Sequence, residues 1–275
     1  MKKYLLLLFV GLLWNCSSSD DQNAVLPAQQ LSNVSYGPDA QQVYDIDLPE
    51  GRNAATTKVI VLVHGGAWYG GSKSDMAGAV AFARLQFPYH AIVNMEYRLA
   101  TAESPAYPKQ IDDIVSVIAH LESGGYHISK QYGFMGVSAG AHLSMLYAYG
   151  FDPNNNVRAV CSLVGPTDFT DPAYAGSELQ TTLFPYLVGA SPSAELVAEV
   201  SPALRVTGSA PPTIQFAGNA DPLIPISQGE RLEAALDAAG VTNSRHVYDA
   251  GHGNFSFGDS QDIYGKLGTF FATHL

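Results

Sequence analysis

A chain of 275 residues, 47% of them hydrophobic, can bury one large core and fits a single α/β domain. Its formal net charge of −11 excludes the basic surface that nucleic acid or an anionic membrane face requires, so neither is expected as a partner. No cluster of His, Cys or carboxylate residues has metal-ligand spacing, and no metal or cofactor is expected.

At the N-terminus, Met1-Lys2-Lys3 and the apolar run from Tyr4 to Trp14 have the charged and hydrophobic regions of an export signal, and the run is too short to span a bilayer. It closes on Leu13-Trp14-Asn15-Cys16, which resembles a bacterial lipobox with Cys16 as the lipidated thiol, although Asn15 stands where a small residue is usual. Ser17-Ser18-Ser19-Asp20-Asp21 resembles the acidic tract that follows the lipidated Cys in surface-exported lipoproteins. The expected organisation is a signal peptide over 1–15, a polar tether without periodicity over 16–33, and one folded domain over 34–275. An exported protein follows, held to the bacterial outer membrane through its N-terminal lipid alone. A free Cys beside an ordinary cleavage site is the alternative. The oligomeric state stays open.

Residues 43–48 read as an antiparallel edge strand or hairpin arm. Six short apolar runs follow, at 58–63, 91–95, 132–137, 158–164, 213–217 and 245–248, with helical patterns between them. That alternation predicts an α/β fold with a mostly parallel central sheet and helices on both faces. Ile111, Ile114, Val115, Ile118 and Leu121 give one helix an apolar face over 108–124. A second runs from Ser227, a suitable N-cap, to Gly240, a suitable C′ residue, and a third covers 260–274. Cys161 lies in an apolar run and is expected in the core, with no disulfide partner once Cys16 is lipidated. Residues 167–202 break the alternation and read as either a small lid or pocket wall of two or three short helices, or a plain connection.

Gly136-Val137-Ser138-Ala139-Gly140 follows a predicted strand and opens a predicted helix, the context of a nucleophile elbow. The chain doubles back there so tightly that a Cβ at either glycine would collide, and the Ser138 hydroxyl is lifted clear of both elements. A serine hydroxyl needs a histidine to take its proton and an acid to orient that histidine, in the chain order Ser, acid, His. Only His252 follows the last strand in a flexible loop, Gly251-His252-Gly253; His142, His246 and His274 fall within elements. Asp221, in Gly218-Asn219-Ala220-Asp221-Pro222 after a strand, is favoured as the acid over Asp168, which ends an earlier strand. Asp249 is too near His252 in sequence to face its ring. His64-Gly65-Gly66-Ala67-Trp68 follows the strand at 58–63, and its amides, Gly66 and Ala67 first and Gly65 behind them, join that of Ala139 as oxyanion donors. His64 is expected to brace this loop, and Trp68 to pack or to line the substrate pocket.

Together with Glu96-Tyr97-Arg98-Leu99 and Asp221-Pro222-Leu223, these segments resemble esterases of the hormone-sensitive-lipase and acetyl-xylan or feruloyl esterase (BD-FAE-like) type, over about 43–275. The resemblance implies the α/β-hydrolase fold and a serine carboxylic-ester hydrolase that works through an acyl-enzyme. It implies short acyl or carbohydrate-linked esters, acetyl or feruloyl, whether small molecules or polysaccharides, as substrates. Ala67-Trp68 replaces the third Gly of the lipase-like oxyanion turn, closer to the carbohydrate-esterase and formamidase variants. A lipase, formamidase or peptidase of the same fold, or a non-catalytic binding module, is the alternative. Arg98, Asp112 and Asp113 are expected in structural ion pairs.

Overall fold

The computed structural model describes residues 25–275, so the segment expected to be an export signal and lipobox, with Cys16, lies outside the described residues. Among the described residues, eight strands form one sheet in the order β1-β2-β4-β3-β5-β6-β7-β8. In chain order they are β1 (Gln29–Ser35), β2 (Val43–Leu48), β3 (Val59–Val63), β4 (Ala91–Met95), β5 (Tyr132–Val137), β6 (Val157–Leu163), β7 (Thr213–Gly218) and β8 (Asn243–Tyr248). The first two pair antiparallel and β2 joins β4 antiparallel; every pairing from β4 through β8 is parallel. This is the α/β-hydrolase fold expected.

Side chains alternate across the pleat and divide the core into two layers. Val59, Val61 and Val63 of β3 face one layer, with Val93 and Phe134 of the neighbouring strands. Ile60 and Leu62 face the other, with Ile92, Met135 and Cys161. The α-helices among the described residues are α1 (Ala77–Gln86), α2 (Lys109–Ser123), α3 (Ala139–Gly150), α4 (Phe184–Val188), α5 (Ala194–Glu199), α6 (Ile226–Ala238) and α7 (Phe257–His274). Helices α2, α3 and α6 cover the first layer; α1 and α7 cover the second. Every residue of α3 from Ala139 to Tyr149 is buried, which explains why it is apolar on all sides rather than amphipathic.

Three expectations change. The tether drawn over 16–33 ends in a strand: β1 is mostly exposed, and its polar residues are held in place by ladder bonds to β2 rather than by burial, so no hydrophobic pattern marks it. That places β2 inside the sheet and β1 at its edge. Ser227 lies inside the first turn of α6, where its hydroxyl donates to Asp171 Oδ2 (2.5 Å) instead of capping the helix, while Gly240 adopts the expected positive φ of 70°. Asp112 is exposed and forms no ion pair among the described residues; Asp113 alone takes Arg98, at 2.7 Å. Cys161 is buried as expected, and burial pushes its thiol pKa up.

Candidate active site

The elbow joins β5 to α3. Ser138 has φ 52° and ψ −117°, a strained backbone for a residue with a side chain. A Cβ on Gly140 would lie 2.2 Å from the Val63 carbonyl oxygen, and one on Gly136 would lie 2.3 Å from that of Gly140, so the close approach of β3, β5 and α3 demands both glycines. The strain thus raises Ser138 at the carboxyl ends of the central strands.

His252, in the loop between β8 and α7, lies with Nε2 2.9 Å from Ser138 Oγ and Nδ1 2.7 Å from Asp221 Oδ2. A carboxylate only accepts, so the Nδ1 proton belongs to that bond, and Nε2 is left as the acceptor for the serine hydroxyl. The side chain of Asp221 is 1% exposed. Its second oxygen accepts from the amides of Leu223 (2.8 Å) and Ile224 (3.0 Å), so both carboxylate oxygens are satisfied without water. The rival Asp168 is engaged elsewhere, its Oδ2 on Arg231 Nη1 at 2.7 Å and its Oδ1 on the Thr170 amide and hydroxyl. Asp249 is exposed.

The loop after β3 has three successive positive φ angles, 117° at Gly66, 49° at Ala67 and 68° at Trp68. Such strain at non-glycine residues persists only where the surroundings impose it. Gln110, fully buried on α2, donates to the carbonyl oxygens of Trp68 (2.7 Å) and Arg98 (2.9 Å). Tyr97 Oη donates to the His64 carbonyl (2.9 Å) and its ring stacks on His64 at 4.0 Å. His64 donates from Nδ1 to the Gly65 carbonyl (2.7 Å), and its Nε2 stands 3.0 Å from Glu96 Oε1, at ion-pair distance without the alignment of a hydrogen bond. His64 therefore braces the loop, as expected. Among the described residues, the amides of Gly65, Gly66, Ala67 and Ala139 donate to no other group. All four residues border the same cleft as Ser138 and His252, which has a volume of about 580 Å³.

Trp68 borders this cleft yet is 1% exposed, and its indole N–H donates to His142 Nδ1 at 3.2 Å. His142 passes its own Nε2 proton toward the Val200 carbonyl (2.7 Å). Burial lowers its pKa to about 4, so the ring stays neutral and bridges the loop to the end of the 167–202 segment. That segment folds into short helices, including a π-helical turn (Leu179–Leu183), and Glu178, Leu179 and Leu183 line the cleft. It is a pocket wall, one of the two readings held open. Tyr69 stacks on Tyr186 of α4 at 4.4 Å and ties the oxyanion-side loop to it. The sequence carried no signal for Gln110, Leu179 or Leu183, whose roles depend on partners remote in the chain.

Residues 44–236 match the family profile of BD-FAE. Esterase LipC of Mycobacterium tuberculosis is 28% identical over 152 residues, covering 50% of this chain and 37% of that protein. Among solved structures, a bifunctional GH43-CE protein of Bacteroides eggerthii superposes with a TM-score of 0.73 at 24% identity, over 89% of this chain and 38% of that one. An acetyl ester-xyloside bifunctional hydrolase from Caldicellulosiruptor lactoaceticus superposes with a TM-score of 0.70 at 17% identity, over 90% of this chain and 97% of that one. The chain thus spans well under half the length of the first two.

Proposed function

The chain belongs to the BD-FAE family, and from that premise we propose that it is a serine carboxylic-ester hydrolase acting through an acyl-enzyme. The observation that carries this reading is the unbroken relay from Asp221 through His252 to Ser138. Ser138 attacks the ester carbonyl while His252 Nε2 takes the hydroxyl proton, and Asp221 holds the imidazolium that forms. Negative charge develops on the carbonyl oxygen, where the free amides of the loop and of Ala139 stabilise it, each worth roughly 2.7–4 kcal/mol. His252 then gives its proton to the departing alcohol. Water, deprotonated by the same ring, hydrolyses the acyl-enzyme and regenerates Ser138.

Short acyl groups on carbohydrate, acetyl or feruloyl, are the substrates we favour, supported by family membership and by the carbohydrate-esterase descriptions of the structural neighbours. Ser138→Ala should lower kcat for p-nitrophenyl acetate by about 10⁴-fold or more with the fold intact by circular dichroism; a variant that keeps wild-type turnover overturns the assignment. We also propose export with lipid attachment at Cys16, on the strength of the N-terminal pattern alone. Cys16→Ala should then move the protein from the membrane fraction to the soluble one, and an unchanged distribution argues against the anchor.

A further inference from the structure

The charges that border the cleft around Ser138 have one sign. Two carboxylates line it, Asp75 and Glu178, and, His252 apart, no basic side chain does so among the described residues. They come from separate segments: Asp75 from the 3₁₀ turn (Lys73–Met76) that follows the oxyanion-side loop, Glu178 from the start of the π-helical turn. Both residues are exposed. Asp75 Oδ2 accepts from the Ser72 amide at 2.8 Å and lies 3.3 Å from where a Cβ on Gly71 would stand, which places this carboxylate beside another residue of the cleft wall. Lys73, two residues from Asp75, is taken by Asp45 at 2.6 Å. Arg231, which reaches the 167–202 segment, is taken by Asp168 and Asp171. A cleft lined by one sign of charge focuses its field, and that field acts over distance, so neither carboxylate has to touch a substrate.

We infer that Asp75 and Glu178 make charge a criterion of substrate choice: the cleft takes esters that are neutral near the scissile bond and turns away those carrying a carboxylate there, such as an acyl group on a uronic acid. This selection deepens the esterase reading above and rests on it. Two like charges about 10 Å apart, at an effective dielectric constant of about 20, repel enough to weaken binding on the order of tenfold, and salt screens the effect. The same field acts on the product. Hydrolysis of a neutral ester leaves an acid that gives its proton to solvent, and the anion so formed is repelled from beside Ser138 by the charges that admitted the neutral ester.

The test compares kcat/KM for 4-acetoxybenzamide, which is neutral, and 4-acetoxybenzoate, its anionic counterpart of the same size, at about 10 mM salt. Glu178→Gln and Asp75→Asn, each close in size to the residue replaced, should lower the benzamide-to-benzoate ratio by about fivefold, and salt at about 500 mM should lower it in the wild type. Acetate should inhibit Glu178→Gln at a concentration about fivefold lower than it inhibits the wild type. A ratio lowered in the variants and by salt, with tighter acetate inhibition, supports the selection. A ratio unchanged in both variants overturns it, and so does one that the variants lower but salt does not, since shape rather than charge then decides. If the wild type cleaves neither ester, the esterase reading fails by itself. Selection by charge is then judged by calorimetry with 4-hydroxybenzamide and 4-hydroxybenzoate: weaker binding of the benzoate, relieved in Glu178→Gln, supports it, and equal or absent binding overturns it.

Discussion

Asp168 and Asp221 follow neighbouring strands, β6 and β7, at the same end of the sheet, and the groups around each decide its use. Asp168 is neutralised by Arg231 on α6, so it has no charge to spare for an imidazole. Asp221 meets no Lys or Arg among the described residues; its two oxygens are held by two amides and by His252. Motif order alone could favour Asp221 but not decide, because Arg231, which takes Asp168, lies 63 residues along the chain from it. The elbow and the His252 loop were legible because each imposes a local backbone demand that glycine answers. His142 was not: its role depends on Trp68 and Val200, neither adjacent to it in sequence. Its pKa, lowered by burial to about 4, makes a stability prediction. Between pH 4 and the unfolded value near 6.5 the unfolded chain binds the extra proton, so this contribution is complete above about pH 6.5 and lost as pH falls toward 4, on the order of 3 kcal/mol. Urea midpoints measured at pH 7 and pH 4.5 should show that loss in the wild type and a flatter dependence in His142→Gln. Equal slopes in the two proteins would refute the assignment.

At the scale of elements, the loop from His64 to Trp68 is held in a strained path by α2 beneath it and by Tyr97 at its base. Gln110 is the contact that bridges the loop and the end of β4's following segment, through the Trp68 and Arg98 carbonyls. Gln110→Ala leaves both carbonyls without that donor, at a cost of about 1–3 kcal/mol, and releases the strain that presents the loop amides. The expected result is a kcat for p-nitrophenyl acetate reduced tenfold or more with KM little changed; a selective rise in KM would show that the loop serves binding and not the oxyanion. The parallel strands were readable since burial on both faces makes each an uninterrupted apolar run. Strand β1 was not, being polar and paired on one side only. The 167–202 segment showed its break in pattern, but its contacts with α3, through His142 to Val200 and Phe169, join positions that no local periodicity relates.

Across the described residues, the two apolar layers fix the sheet, the sheet fixes the separations between strand ends, and the proposed catalytic groups arrive from three of those ends. Ser138 comes from β5, Asp221 from β7 and His252 from beyond β8, so a residue relay spanning 114 positions of chain closes within hydrogen-bond distance. The net charge of −11 does not by itself choose a substrate. The central claim is that Ser138 is the one nucleophile, activated by His252. Intact-mass and peptide analysis after reaction with a fluorophosphonate tests it most directly. One phosphonyl adduct on the peptide carrying Ser138, lost in Ser138→Ala and slowed at least a hundredfold in His252→Ala, is the predicted result. No adduct, or an adduct on another residue while ester hydrolysis proceeds, would contradict it.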